Sequence, residues 1–499
     1  METLHYPVVV IGSGFAGRTV ADYFDPQDCL ILERGEALDY GRRLEVGEGL
    51  LKQGRPLHEA ESFVYRSSLP WNSTPRLSEY NYSSYAFVGG GSSNWWGGKC
   101  SRISEHVFSS RECLPWALGG DDLRAWYELA EKRLNVSGDP ANLEGEPVNS
   151  MPGAAYWRKA LSPYLASSSI YNVALNFGRE GANGQGVCKG RGACAICHND
   201  AKARPDNIFR ELNILYGSQV VEIEFEGSVA RGVLVFNGKE IFRVTFDRLV
   251  VAANGLETPR VLARSDLPSG VRRDYIGMFY QDHAHFSMQC RIPKPIAFRS
   301  LGGLCHLKVQ ELSKFFETAL GTVEVGALAL THPPHPDDLH LAVPLHKVFD
   351  PVNPIGREEL AEYMGGFFEV YCEFEIPPQA GLRVDLNSDE PRVIDGRYAE
   401  LIPEFDLMAK KMADILLRRG VEVLGSKHWY RNGYGGHHFC GTVNMSDSDQ
   451  SVLDIDCKLI GSENVYCAGA AVIPRAGGVA PTLTVVALAE RLGSYLSAV

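Results

Sequence analysis

Three groups of residues in this 499-residue chain have types and spacings that can do chemistry. The first is Gly12-Ser13-Gly14-Phe15-Ala16-Gly17, which follows an apolar run at 8–11 and precedes a helix-like stretch at 18–24. A second apolar run, Cys29-Leu30-Ile31-Leu32, then ends in Glu33, 21 residues after the first glycine. In such a strand, turn, helix and strand, Gly12 makes the tight turn, Gly14 lets backbone approach a pyrophosphate, and Gly17 lets helix and strand close. The helix N-terminus offers N–H groups to phosphates, and Glu33 can accept from ribose hydroxyls. The pattern reads as a dinucleotide site that does not separate NAD from FAD; the bland alternative is a glycine turn without nucleotide.

The second group is Cys188, Cys194 and Cys197 in a glycine-rich loop, with x5 and x2 gaps. Thiolates in that pattern suit an iron–sulfur cluster or zinc. A zinc site would take His198 as its local fourth ligand. Cys194-Ala195-Ile196-Cys197-His198 also fits the attachment pattern of c-type haem, which normally requires an export the N-terminus does not provide. The alternative is three unligated buried thiols. The third group lies near the end of the chain. His437 and His438 stand ahead of the Gly441-Thr442 turn, and Gly477-Gly478-Val479-Ala480-Pro481-Thr482-Leu483-Thr484 opens a helix. A helix begun at proline has preset geometry, and its positive end can stabilise developing negative charge.

The elements that must position these groups follow from pattern and punctuation. Residues 37–80 read as polar and loop-like, broken by Pro56, Pro70 and Pro75. The 87–98 stretch holds five glycines and the pair Trp95-Trp96. It reads either as backbone lying against a flat ring or as a glycine loop with core tryptophans. An amphipathic helix within 114–138 places Leu123, Trp126, Tyr127, Ala130 and Leu134 on one face. Strands are expected at 219–225, 232–236, 241–246 and 248–253, the last turning into a helix at 254–262, as in a nucleotide-binding domain resumed after an insertion. From 286 to 429 the composition shifts toward scattered prolines and histidines, with strand-like runs at 367–375 and 382–386. This part reads as a second domain whose antiparallel sheet roofs the first. His332, His335, His340 and His346 make no motif. A strand and tight turn at 465–474 return to the first domain.

Composition sets the outer limits. A net charge of -12, from 49 basic and 61 acidic residues, with no basic cluster argues against a nucleic-acid partner. No stretch reaches the apolar length of a membrane span, and the early apolar run is spent on the nucleotide turn, so a cytoplasmic location is expected unless a partner co-exports the chain. Twelve cysteines in so long a chain do not make a disulfide scaffold; most are expected reduced and buried.

Five motifs in order resemble the glucose-methanol-choline (GMC) oxidoreductases over nearly the whole length. They are the glycine turn with Glu33, Gly90-Gly91-Ser92-Ser93-Asn94-Trp95-Trp96, Ala253-Asn254-Gly255-Leu256-Glu257-Thr258-Pro259-Arg260, His438-Phe439-Cys440-Gly441-Thr442, and Ala480-Pro481-Thr482-Leu483-Thr484. The 114–138 segment is most similar to the branch holding pyranose oxidases and bacterial sugar and gluconate dehydrogenases. The resemblance implies an α/β fold: a Rossmann-like FAD-binding domain (1–285 and 430–499, carrying the cysteine-rich loop 188–202) and an α+β substrate domain (286–429) with a six-stranded antiparallel sheet. It implies an FAD-dependent dehydrogenase that oxidises an alcohol group of a sugar, polyol or sugar-bearing metabolite by hydride transfer, with an electron-acceptor protein or quinone as partner. FAD contacts are implied for Gly12, Ser13, Gly14, Gly17, Glu33, Arg34, Gly91, Ser92, Asn94, Trp95, Val221, Ala253, Gly469, Ala470, Ala480, Pro481 and Thr482.

His438 matches the family's catalytic histidine, with His437 beside it. Imidazole suits the part, because it titrates near neutral pH and a hydroxyl must lose its proton as its carbon loses hydride. The chain departs from the family in three places. The second catalytic His or Asn is Ala480 here, so His437, Arg475 or a substrate-domain residue must supply that contact, or the alcohol chemistry is unusual, non-oxidative or lost. Asn94 stands where some relatives tether the cofactor through histidine, so FAD is expected to be non-covalent. Cys188, Cys194 and Cys197 resemble the loop holding a three-iron cluster in certain bacterial sugar dehydrogenases, with the second gap one residue shorter.

Overall fold

The computed structural model describes residues 3–53, 63–66, 68–69, 86–111, 114–138, 154–165, 168–178, 184–188, 197, 199–293, 304–316, 322–330, 366–388, 391–394, 398–432 and 437–499. Its strands run in chain order as β1 (Thr3–Ile11), β2 (Cys29–Leu32), β3 (Ser168–Ile170), β4 (Ile214–Leu215), β5 (Gln219–Glu226), β6 (Val229–Phe236), β7 (Ile241–Val251) and β8 (His283–Arg291). They continue as β9 (Leu304–Val309), β10 (Val323–Leu330), β11 (Phe367–Glu375), β12 (Arg383–Val384), β13 (Val393–Ile394), β14 (Glu422–His428) and β15 (Val465–Cys467).

The first sheet has the order β4-β2-β1-β7-β6-β5, with β15 also paired to β7. β1 and β2 are parallel, Val8 opposite Cys29 and Ile11 opposite Leu32, and the Phe15–Ala21 helix connects them. A parallel sheet covered on both faces needs apolar residues at consecutive positions. Val8, Val9, Val10, Leu30 and Ile31 are accordingly all buried. The two strands expected at 241–246 and 248–253 are one. β7 pairs with β1 along its length on one side; on the other its first half takes β6 and its last three residues take β15, so the chain stays extended through Asp247. The Asn254–Arg264 helix leaves the end of β7.

The 37–80 stretch is not all loop. Tyr40–Lys52 is a helix, because Tyr40, Leu44 and Leu50 close a small apolar cluster with Val64, Tyr65 and Trp95, and the three prolines all fall beyond its end. The expected amphipathic helix spans Gly120–Arg133 and buries Leu123, Tyr127 and Ala130. It packs on the C-terminal helix, Thr482–Ala498, where the Tyr127 and Thr484 hydroxyls lie 2.9 Å apart and Arg133 pairs with Glu490.

The second sheet has the order β14-β8-β11-β10-β9-β3, and all its pairings are antiparallel. Its strands alternate with period two. Ala284, Phe286, Met288, Phe368, Val370, Cys372, Phe374, Val323 and Val325 enter a second apolar core. The opposite face carries His283, His285 and Ser287 on β8, and by register Glu375, Glu373 and Tyr371 beside them on β11. Half-buried sheets usually put such a face in water. Here His283, Ser287, Glu324, Glu373 and Glu375 are all buried.

Candidate active site

The floor of the site is the glycine turn. Gly12 has φ +101°, and a Cβ there would lie 2.4 Å from Ala252 O; one on Gly17 would lie 1.9 Å from Gly12 O. These two glycines therefore let strand and helix close on each other. A Cβ on Gly14 would meet nothing nearer than Ser93 Oγ at 3.2 Å and Gly90 O at 3.7 Å, so this glycine faces the 90–93 loop across a narrow open space. Glu33 braces the turn. Its Oε2 accepts from Ser13 N–H at 2.9 Å and Ser13 Oγ at 2.5 Å, and its Oε1 accepts from Gly35 N–H at 2.7 Å. A carboxylate has about four acceptor positions, which leaves one for a ribose hydroxyl. Glycine cradle, braced acid and helix start fit a dinucleotide.

The 89–96 loop is tied to this turn. Ser13 Oγ accepts from Gly90 N–H at 2.9 Å, and Phe15 N–H donates to Ser93 Oγ at 2.9 Å. Asn94 folds back on its own turn, donating from Nδ2 to Gly89 O at 2.8 Å and Gly91 O at 3.2 Å. Buried Lys202 holds the loop from below through Asn94 O at 2.9 Å and Trp96 O at 2.6 Å. The tryptophans are packing groups: Trp95 stacks on Tyr65 at 5.3 Å, and Trp96 meets Phe15 edge-on at 5.2 Å. Gly469 turns against Ala16, and Ala470 O accepts from Gly441 N–H at 3.3 Å, so the 469–470 turn links the floor to the histidine segment. Arg34 sits over the Phe87 ring at 4.0 Å and 3.8 Å from Glu257. Ser92 Oγ lies 3.5 Å from Asn254 Nδ2, and Ala253 precedes the Asn254–Arg264 helix. Val221 occupies an irregularity between β5 and β6, where the register shifts between Val220 and Glu222. Buried Ala480, then Pro481 and Thr482, lead into the C-terminal helix.

His438 is positioned by contacts far apart in sequence. A Cβ on Gly255 would lie 1.7 Å from Phe439 O, so only glycine lets the helix after β7 press on this segment. Gln281 and Cys440 exchange backbone hydrogen bonds at 3.0 Å as an antiparallel bridge. That register sets residue 283 opposite residue 438. Asp282 locks the pairing: its Oδ1 accepts from His438 N–H at 2.8 Å and His283 N–H at 2.7 Å.

The two imidazoles meet through Nδ1 atoms 2.5 Å apart, with rings inclined at 73°. His283 Nε2 lies 2.5 Å from Gly477 O, which can only accept, so this nitrogen carries a proton. A neutral His283 then has a bare Nδ1, and His438 must donate from its own Nδ1. The proton of neutral His438 is thereby fixed on Nδ1, and its Nε2 keeps a lone pair. Burial, then the neighbouring His283, push His438 well below the usual histidine range, so it is neutral at pH 7. Burial likewise brings His437 and His285 down to about 4, and raises Asp282 to about 6 against the amides it accepts from. Asp282, His283 and His438 can each offer a metal ligand atom within 4.8 Å of the others. The hydrogen bonds above already account for the facing atoms, so a proton joins the two rings.

Of the groups named for the second catalytic contact, Arg475 is turned into Glu375, pairing with both carboxylate oxygens, and His437 stands next in the chain at φ +59°. The structure brings in His283 from the start of β8; its ring nitrogens are spent on His438 and Gly477 O, so it orients the base and does not itself reach a substrate. The readable signal was Asp282-His283-Ala284-His285, an acid followed by histidines two apart on one strand face. In the cysteine loop, Cys188 and Cys197 are described, and Cys197 Sγ accepts from Ala201 N–H at 3.2 Å. Cys194 and His198 lie outside the described residues, as do His332, His335, His340 and His346.

Residues 419–489 match the family described as GMC oxidoreductase. The fructose dehydrogenase large subunit of Gluconobacter japonicus is 22% identical over 552 residues, covering 98% of this chain and 97% of that protein. The 6'''-hydroxyparomomycin C oxidase of Streptomyces lividus is 24% identical over 548 residues, covering 99% and 92%. Among solved structures, pyridoxine 4-oxidase from Mesorbium loti superposes with TM-score 0.61 at 16% identity over 98% of this chain and 99% of that one. A formate oxidase of Aspergillus oryzae RIB40, studied for its FAD modification, gives 0.63 at 15% identity over 100% and 99%. A GMC oxidoreductase domain therefore lies at residues 419–489, and the chain shares its fold with the two solved oxidases over nearly its whole length. No helix among the described residues is long and apolar enough to cross a membrane.

Proposed function

We propose that this enzyme oxidises an alcohol group of a sugar, polyol or sugar-bearing metabolite and passes the electrons to an external acceptor. The observation that carries the reading is the bare Nε2 of half-buried His438, left with its lone pair by the Nδ1 contact to His283. FAD, held non-covalently by the glycine turn, Glu33, the 90–95 loop and the 469–470 and 480–482 segments, supplies the hydride acceptor. Within the protein, the substrate O–H proton passes to His438 Nε2 as the carbon gives up its hydrogen with the bonding pair, and a carbonyl is left. The imidazolium so formed keeps its Nδ1–H on His283, while Asp282 holds both backbones in register. A pKa depressed by burial returns that proton readily, which resets the base. His283 orients the base from behind, so a positioned base is present although Ala480 stands where the family has a second His or Asn, which favours oxidation over lost or non-oxidative chemistry.

The likeness to a fructose dehydrogenase and a 6'''-hydroxyparomomycin C oxidase supports sugars and sugar-bearing metabolites as substrates. We assign residues 1–285 and 430–499 to cofactor binding and 286–429 to substrate binding, with β3 and the start of β8 joining the roof. Cys188, Cys194 and Cys197 are the ligands we propose for an iron–sulfur cluster that relays electrons outward; the backbone N–H on Cys197 Sγ is the kind of contact that tunes such a ligand. The test is anaerobic bleaching of bound flavin by a panel of sugars, polyols and simple alcohols, with iron and acid-labile sulfide measured on the same sample. Bleaching by none of the panel sinks the alcohol reading, and absence of iron sinks the cluster.

A further inference from the structure

The roof carries buried polar atoms that the base chemistry does not use. Glu373 on β11 stands opposite His285 on β8, one pair along from Glu375 opposite His283, so it is a diagonal neighbour of the histidine that orients the base. Diagonal neighbours on one face have Cβ atoms within roughly 7–8 Å, the span of a small sugar. Glu373 is 4% exposed, and its Oε1 takes a 2.8 Å ion pair from Lys99. Its Oε2 has no partner among the described residues, nor has the Oγ of Ser287, which is 1% exposed. A buried acceptor left without a donor costs about 1–3 kcal/mol, more when it is charged. The two atoms stand on neighbouring strands of the sheet face that carries His283, Ser287 diagonal to Glu373 as Glu373 is to His283, and a ligand donor would complete them.

The chemistry of that ligand follows from the charges. Burial alone would raise the Glu373 carboxyl, but the Lys99 ammonium beside it outweighs that and holds the group ionised. Ionised Oε2 needs a donor. Lys99, whose ammonium also lies 3.8 Å over the Tyr371 ring, already balances the negative charge. An ammonium on the substrate would add unbalanced positive charge beside Lys99, whereas a neutral hydroxyl would add none and could also donate to or accept from Ser287.

We propose that Glu373 and Ser287 form a subsite for a second hydroxyl of a neutral polyhydroxylated substrate, beside the hydroxyl that gives its proton to His438. The subsite rests on the reading of His438 as the base and narrows it: polyols and neutral sugars are substrates, and monohydric alcohols and amino sugars are poor ones. A site built to bond a hydroxyl discriminates strongly against analogues without it, because its own groups are then stranded.

The test uses the flavin-loaded enzyme with dichlorophenolindophenol as acceptor and D-sorbitol, D-glucose, D-glucosamine and cyclohexanol as donors. In Glu373→Gln the kcat/KM preference for D-sorbitol over cyclohexanol should fall about 10- to 100-fold, mainly through KM. Ser287→Ala should lose less of it. Equilibrium dialysis of labelled D-sorbitol, without acceptor, separates this inference from the parent reading. If no donor is oxidised but Glu373→Gln still weakens D-sorbitol binding, the subsite stands and the alcohol reading falls. A preference unchanged in both variants, a wild-type preference for D-glucosamine over D-glucose above tenfold, or no binding of D-sorbitol or D-glucose to wild type would each overturn the subsite.

Discussion

The floor and the roof of this site are built on different length scales. The glycine turn takes its shape chiefly from near neighbours: Gly12 and Gly17 close on each other and Glu33 reaches back 20 residues to Ser13, with Ala252 and the 90–93 loop closing on it from outside. The roof joins residues far apart, His283 to His438 across 155 positions and Lys99 to Glu373 across 274. The floor is therefore a feature of spacing, whereas the roof is a feature of register. A fault in spacing should cost the cofactor; a fault in register should cost the chemistry and leave the cofactor in place.

The largest expected effect breaks the floor. Gly17→Val puts a Cβ 1.9 Å from Gly12 O, with Gly12 C at 3.1 Å and the buried Val10 methyl at 3.2 Å, so no flavin-loaded protein should be recovered. Gly14→Ala meets only a side-chain oxygen at 3.2 Å and should fold while retaining less flavin. The ratio of flavin to protein absorbance, read with far-ultraviolet circular dichroism, checks both. Full flavin occupancy in Gly17→Val would contradict the packing role given to that glycine.

The next effect breaks the roof alone. His438→Ala should lower kcat by about 10²–10⁴-fold, the usual worth of a positioned general base, with flavin content unchanged. Activity within a few-fold of wild type would remove His438 from the chemistry and revive the non-oxidative reading. Loss of flavin together with activity would mean that floor and roof are not separable.

This difference in scale also explains what could be read in the sequence. The strand, turn, helix and acid at 8–33 were legible because each residue's task is defined by its near neighbours. His438 was legible only through a family motif. His283 was not, for two reasons. Its role depends on the Gln281–Cys440 bridge, which no local pattern announces, and the boundary expected at 286 cut β8 after its first three residues, separating His283 and His285 from the alternation they begin. The Tyr40–Lys52 helix was missed because prolines beyond its end were read as breaking the whole stretch. The single long β7 was missed because Asp247 and Arg248 interrupt an apolar run although the backbone stays paired on either side.

The finest test divides the roof against itself, because His283 acts on His438 in two ways that pH separates. It fixes the tautomer through the Nδ1 contact, and, because the two rings cannot easily both carry a charge, it adds to burial in lowering the pKa of His438. His438 must be unprotonated to act, so the rate falls as pH drops through its pKa, and a depressed pKa places that acid limb below the ordinary histidine value of about 6.5. His283→Ala removes both effects. Its plateau rate should fall by about 10²-fold, less than the ~10⁴ that a wrong tautomer costs a Ser-His-Asp triad, and its acid limb should move up in pH. His283→Asn offers an amide oxygen to His438 Nδ1–H and an amide N–H to Gly477 O. It should recover most of the plateau while keeping the raised limb. Asp282, lifted to about 6, titrates in the same window, so the pair is repeated with Asp282→Asn, which still accepts the two amide bonds but cannot ionise. Equal plateau losses in Ala and Asn would show that the tautomer is not what His283 controls. A limb that stays put in both would show that His283 does not set the pKa of the base.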